Sequence, residues 1–212
     1  MKTIPLLLET KDFFAVDKPA GVSVHNNEDP QNLLSLMSQV YPSLKFYPAH
    51  RLDKETSGIQ LLALNPVMAK TLAQEFEKRS VVKIYKGVLR GQVKEQKGVW
   101  NESLSDKAEG RKDPRGITRE RVACETRYEV LKSNQYFSFC EFQLMTGRQH
   151  QIRKHCALHN HAIVGDARYG DKKYNEKMAQ FYKTNRMHLH SSRLEILDYK
   201  IESPLPVDFI PV

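Results

Sequence analysis

The stretch His50-Arg51-Leu52-Asp53-Lys54-Glu55-Thr56-Ser57-Gly58 sets the carboxylate of Asp53 among cations and small polar side chains. Elements laid down for stability place apolar residues at period 2 or 3.6. Here polar residues run almost unbroken into the apolar run Ile59 to Leu64, which reads as a polar loop on the lip of a buried strand. An aspartate in water has a pKa of about 3.9, and a closed pocket can raise it by up to about 3–5 units, leaving it protonated and useless as a nucleophile. A neighbouring arginine opposes this by about 1–3 units and holds the carboxylate by a charge-assisted contact. A nucleophilic Asp53 therefore requires an arginine from elsewhere in the chain. The segment Thr146-Gly147-Arg148-Gln149-His150-Gln151-Ile152-Arg153 reads as the start of a helix running to about His159 and offers two. At about 100° per residue, Arg148 and Arg153 each fall within about 60° of the Ile152/Cys156 stripe on opposite flanks, so wheel geometry does not choose between them. The plainer readings are a turn or cap aspartate at Asp53 and an exposed helical arginine at Arg153.

The elements that must position these groups follow from local patterns. Phe13 to Asp17 reads as a buried strand stopped by Lys18-Pro19-Ala20-Gly21, and Leu33 to Val40 as a short helix. After the strand Ile59 to Leu64, Asn65 and Pro66 open a helix as cap and first residue, burying Met68, Leu72 and Phe76 to about Arg79. Val82, Ile84 and Val88 mark a strand ending near Gly91, with Tyr85 on the face opposite Ile84. Two strands around Tyr128 to Val130 and Tyr136 to Leu144, and a strand pair over Leu189 to Ile201, complete an α+β chain with a large mixed, mainly antiparallel sheet.

Composition narrows the partners. The 212 residues carry 33 Lys and Arg against 25 Asp and Glu, and this net charge of +8 favours a polyanion, because neutralised phosphates release counterions. With 40% apolar residues there is enough to bury a sizeable core. Cys124, Cys140 and Cys156 lack paired spacing and suit free thiols in a reducing cytoplasm. No signal-peptide pattern is evident and no apolar run approaches the roughly 20 residues of a membrane span. Residues 102–121 mix six cations with five acids, Gly110, Pro114 and Gly116, and read as a mobile basic loop: a solvated connector, or an arm that contacts phosphates. His155 and His159 at i, i+4, with His161 and Cys156 near them, resemble zinc-ligand spacing, but no second ligand pair stands at a suitable distance.

His50 to Gly58 resembles the HRLDxxTSG signature of the RluA family of pseudouridine synthases. Val16 to His25 is similar to that family's first motif, Lys83-Ile84-Tyr85-Lys86 to its tyrosine-bearing strand, and Ala123 to Val130 to its central strand. Leu144 to Arg153, Ile163 to Asp166 with Tyr169-Gly170, and Leu189-His190 match its C-terminal motifs in family order. The resemblance implies the pseudouridine synthase fold, with helices and loops flanking the sheet and a central active-site cleft. It also implies isomerisation of uridine in rRNA or tRNA without cofactor or metal.

On that resemblance Asp53 is the nucleophile, attacking the base or the ribose C1′ or abstracting a ribose proton. Arg153 pairs with it, Tyr85 stacks on the uracil, and Leu144 joins the substrate contacts. The uridine must leave its stack, at a cost of a few kcal/mol. Arg51, two residues before Asp53 on extended backbone, projects to the same side and is expected to stack on neighbouring bases or grip the flipped nucleotide's phosphate. A salt bridge from Arg51 to Glu55 is the plainer reading. Residues 1–212 are expected to form a single catalytic domain without an N-terminal S4 domain, working as a cytoplasmic monomer. A non-catalytic RNA-binding module would not need a pocket aspartate with its arginine, and an N-glycosidase would want a second catalytic carboxylate for which no residue stands out.

Overall fold

A computed structural model describes residues 4–25, 29–116 and 120–210. These fall into two compact units: residues 1–83 with 191–204, and residues 84–190 with 205–212.

In the first unit the strands are β1 (Leu6–Glu9), β2 (Phe13–Lys18), a short β3 (Tyr47–Pro48) and β4 (Ser57–Ala63), with α1 (Leu33–Val40) and α2 (Pro66–Lys78). β2 pairs antiparallel with both β1 and β4, and β3 with β4. β2 and β4 are buried on both faces, which is why apolar residues stand at successive positions, as in Phe13–Val16 and Leu61–Ala63, rather than alternating. Phe13 and Ala15 join Ile59, Leu61 and Ala63 under Leu72 of α2, with Met68 and Phe76 packed alongside. Phe14, Val16 and Leu62 point the other way, onto Leu33 and Met37 of α1. Both helices begin as their sequences require: the side chains of Asn32 and Asn65 accept from the amides of Ser35 and Met68 at 3.0 and 2.8 Å.

In the second unit β5 (Val82–Arg90, beginning two residues before the unit does), β6 (Lys97–Trp100), β7 (Thr126–Ser133) and β8 (Phe137–Leu144) pair antiparallel in the order β5-β8-β7-β6. Helices α3 (Gln151–Leu158) and α4 (Lys172–Tyr182) follow. Strand β9 (Leu189–Ile196) starts in the second unit and ends in the first, where it pairs with β10 (Tyr199–Glu202). Among the described residues, ten strands and four helices make the α+β fold that the sequence leads one to expect. None of these helices is long and apolar enough to cross a membrane.

Three expectations need correction. The helix predicted from Thr146 begins only at Gln151, because Thr146 to His150 form a loop bound by side chains and His150 takes a left-handed conformation (φ 56°). Helix α4 and strands β1, β3 and β6 were not expected. Finally, the basic stretch 102–121, of which residues 117–119 lie outside the described ones, is tethered rather than loose. Leu104 bridges Val122, and Lys154, itself fully buried, donates to the carbonyls of Ser105 and Lys107 at 2.7 Å each.

Candidate active site

The loop that carries Asp53 is held from both ends by buried polar side chains. Gln60 of β4, fully buried, accepts the Leu52 amide at 3.2 Å and donates to the His50 carbonyl at 2.7 Å. The His50 ring accepts the Leu61 amide at Nε2 and lies 4.8 Å from the Phe76 ring, centroid to centroid. Accepting that amide requires a neutral imidazole, and burial, aided by Lys83, lowers its pKa to about 3. On the far side the fully buried ammonium of Lys18 donates to the carbonyls of Val22, Pro19 and Lys54, at 2.7, 3.1 and 3.3 Å. The Gly21 amide, in a left-handed turn (φ 82°), donates to the Lys54 carbonyl as well. The first motif of the sequence thus clamps the second. A turn closed by the Thr56 amide on the Asp53 carbonyl then feeds β4. Asp53 is half-buried and Arg51 exposed.

Gly58 is the position where the loop meets the rest of this unit. Its φ is 108°, and a Cβ there would lie 2.2 Å from the Ser191 carbonyl oxygen, so only glycine fits.

In the second unit Arg153 is not the exposed helical cation of the plainer reading. It is 2% exposed, with Nε 2.8 Å and Nη2 3.0 Å from the carboxylate of Asp166, itself 0% exposed. The Asp166 carboxylate also accepts the amides of Arg168 and Tyr169, at 2.9 and 3.0 Å. Arg153 lies 5.3 Å over the Tyr169 ring, and the Tyr169 hydroxyl stands 2.9 Å from Nδ1 of His150. Burial pushes the Tyr169 phenol up to about 12 against the opposing pull of Arg153, so it stays protonated. Two glycines permit this cradle: a Cβ on Gly165 (φ 82°) would meet the Arg186 carbonyl oxygen at 2.0 Å, and one on Gly170 the Asp166 carbonyl oxygen at 2.4 Å. Arg148, the other candidate, precedes α3 and lies 3.7 Å from Asp106.

Leu144 ends β8 opposite Thr126, beside a polar knot centred on buried Gln151. Gln151 donates to the Glu125 carbonyl and the Thr126 hydroxyl, and accepts from the Thr146 hydroxyl and the Arg148 amide. Tyr85, buried, lies on β5 opposite Phe142 of β8. The structure therefore groups Arg51 with Asp53 in the first unit, and Tyr85, Arg153 and Leu144 in the second.

Several participants were not picked out from sequence. In the sequence Asp166 and Tyr169 stand out only as part of a motif, and their partnership with Arg153 is legible only in three dimensions. Lys83 precedes Tyr85 by two on β5, and burial together with Arg79 brings its ammonium down to about 8. The cysteines are free and buried, and burial raises all three thiols, that of Cys140 to about 12, which removes them as nucleophiles. His155 and His159 are engaged elsewhere: His155 contacts the Thr126 hydroxyl at 2.9 Å, and His159 the Glu102 carboxylate at 2.9 Å while stacking on Trp100.

Comparison with known proteins agrees with these motifs. The sequence matches the RNA pseudouridylate synthase family over residues 12–158. It is 31% identical to the tRNA pseudouridine synthase C of Salmonella typhimurium, across 91% of this chain and 80% of that protein. It is 30% identical to the ribosomal large subunit pseudouridine synthase C of Pasteurella multocida, across 88% of this chain but only 58% of that protein. The structure of human RNA pseudouridylate synthase domain containing 1 superimposes with a TM-score of 0.80 at 26% identity, covering 99% of this chain and 86% of that one. By sequence motifs, family match and fold together, the chain belongs to the RluA-type family of RNA pseudouridine synthases.

Proposed function

We propose that this protein isomerises a uridine of tRNA or rRNA to pseudouridine with Asp53 as its nucleophile. The family match carries the reading, since residues 12–158 span both Asp53 and Arg153. The reaction breaks the N1–C1′ bond, turns the uracil in place and forms a C5–C1′ bond. One proton leaves C5 and one arrives at N1, so nothing is oxidised and no group is lost. Asp53 attacks the base or C1′, or abstracts a ribose proton, and a covalent route would divide one difficult rearrangement into easier steps.

On the family resemblance, Arg153 is the arginine that pairs with Asp53. An arginine carries five N–H donors, so the pair with Asp166 does not exhaust its capacity. The pair with Asp166 supports this role, because it fixes the plane and direction of a guanidinium that would otherwise rotate. Tyr85 stacks on the uracil, Leu144 bounds the base, and Arg51, exposed on the same loop as Asp53, meets the bases or phosphate beside the flipped nucleotide. Buried, unpaired thiols agree with a reducing cytoplasm, where we expect the protein to act as a monomer.

The names of the relatives point to tRNA in one case and ribosomal RNA in the other. Carbodiimide-based mapping of pseudouridine in total RNA from cells with and without the gene should lose one or a few sites in one of these classes. Unchanged maps, together with purified protein that modifies no RNA, would refute the proposal.

A further inference from the structure

We propose that the outer face of α4, joined to the basic stretch 107–115, docks the phosphate backbone of the RNA that flanks the modified uridine; this rests on the functional reading above. The helix has one face committed to the core, where Tyr174, Met178 and Tyr182 pack against Val88, Phe137 and Val164. At about 100° per residue, Lys173, Lys177 and Phe181 fall within an arc of about 80°. All three are exposed, Phe181 by 76%. Lys172 is held 3.9 Å from Glu176, whereas Lys173 and Lys177 have no ion-pair partner among the described residues.

A solvated lysine face would account for the cations but gives no reason to leave a phenylalanine ring in water beside them. Backbone cations with an aromatic platform are what a nucleic-acid strand is held by: phosphates are neutralised and a base stacks on the ring. The helix does not stand alone. Arg111 pairs with Asp171, the N-cap of α4, at 2.9 Å, and Arg168 reaches the carbonyls of Ala108 and Glu109 at 3.4 and 3.3 Å. Two basic segments some sixty residues apart in sequence are thereby joined into one surface. Arg168 follows Asp166, the partner of Arg153, by two residues, so this surface begins next to the arginine assigned to catalysis. An anionic membrane would match the charge, but a helix lying in a membrane interface needs a free apolar face, and that of α4 is occupied by the core.

The test is binding of fluorescently end-labelled unfractionated tRNA and rRNA fragments at several salt concentrations, alongside steady-state kinetics on whichever RNA the unaltered protein modifies. The double variant K173A/K177A should lower the slope of log affinity against log salt by about 1.4–1.8. It should also raise KM roughly tenfold at ~0.1 M salt with kcat unchanged, the pattern of lost uniform binding. F181A should weaken binding about fivefold and leave the salt slope alone. If the unaltered protein modifies RNA while both variants keep its affinity and slope, the docking face is wrong and the functional reading stands. If the unaltered protein modifies no RNA, the functional reading fails first. Binding to phosphatidylserine vesicles that K173A/K177A abolishes, with RNA affinity unchanged, would assign the face to lipid and overturn the proposal.

Discussion

Replacing Asp166 by alanine should be among the most damaging single changes in the second unit, and the structure says by how much. The substitution takes the Asp166 carboxylate from a guanidinium that is 2% exposed and from the amides of Arg168 and Tyr169, all of which use it. Removing one partner of a buried ion pair costs about 3–5 kcal/mol, because a buried charge loses compensation that water cannot replace. Stranded amides add to this only if water cannot reach them, so about 3–5 kcal/mol is the expectation for Asp166→Ala. Asp166→Asn keeps an acceptor oxygen but exchanges charge-assisted hydrogen bonds for neutral ones, a loss of about 1–2 kcal/mol. Removing both charges, in R153M/D166A, should recover part of the alanine penalty, since the buried guanidinium leaves together with its carboxylate. Urea denaturation followed by fluorescence is a clean assay, because Trp100 is the sole tryptophan and lies buried in the second unit. A cost below about 1 kcal/mol for Asp166→Ala, or a double variant less stable than Asp166→Ala alone, would refute a buried Arg153–Asp166 pair of this strength.

Gly58→Ala should lower stability by at least about 2 kcal/mol, a fall in Tm of about 4–8 °C for a chain of this size, through left-handed strain and overlap with Ser191. A Tm within about 2 °C of the unaltered protein would contradict the geometry. His188, 1% exposed, has its pKa lowered to about 4 by burial and by Arg186. The unfolded chain therefore takes up a proton below pH 6.5 that the native protein refuses. Stability is fully present above pH 6.5 and is lost on acidification towards pH 4 by up to about 1.4 kcal/mol per pH unit from this residue. His188→Gln should flatten the dependence reported by Trp100 between pH 6.5 and 4.5, and an unchanged slope would mean that His188 takes up its proton in the native state.

Strands with both faces covered and helices with asparagine caps were legible because their signals are local. The apolar run Phe13–Val16, the strand Ile59–Ala63 that is apolar but for Gln60, and Asn65-Pro66 ahead of a four-residue apolar repeat need no tertiary information. Helix α4 was equally legible in principle: Asp171 caps it and Tyr174, Met178 and Tyr182 recur every four residues, but the many polar residues between them obscured the repeat. β1, β3 and β6 are two to four residues long, too short for periodicity to register. The choice between Arg148 and Arg153 depended on the phase of a helix assumed to start at Thr146. Gln151 absorbs the Thr146 hydroxyl and the Arg148 amide into a loop instead, and no periodicity argument could have anticipated that. Nor could spacing have revealed that a buried lysine, Lys154, tethers the basic stretch by its backbone carbonyls. Asp53 was found as a motif residue, but the clamps that hold its loop, Lys18 and Gln60, are polar groups buried inside or at the end of apolar strands, which sequence alone ranks as anomalies.

Whether Asp53 is the group that reacts is decided by a single-turnover assay of Asp53→Asn on the RNA identified by mapping. The substitution keeps shape and hydrogen-bonding capacity while removing the carboxylate. RNA binding is expected within about twofold of the unaltered protein, since Asp53 contributes no phosphate contact, with no pseudouridine above the enzyme-free background. Pseudouridine formation by Asp53→Asn within about tenfold of the unaltered rate, a loss of only about 1.4 kcal/mol in transition-state stabilisation, would contradict it.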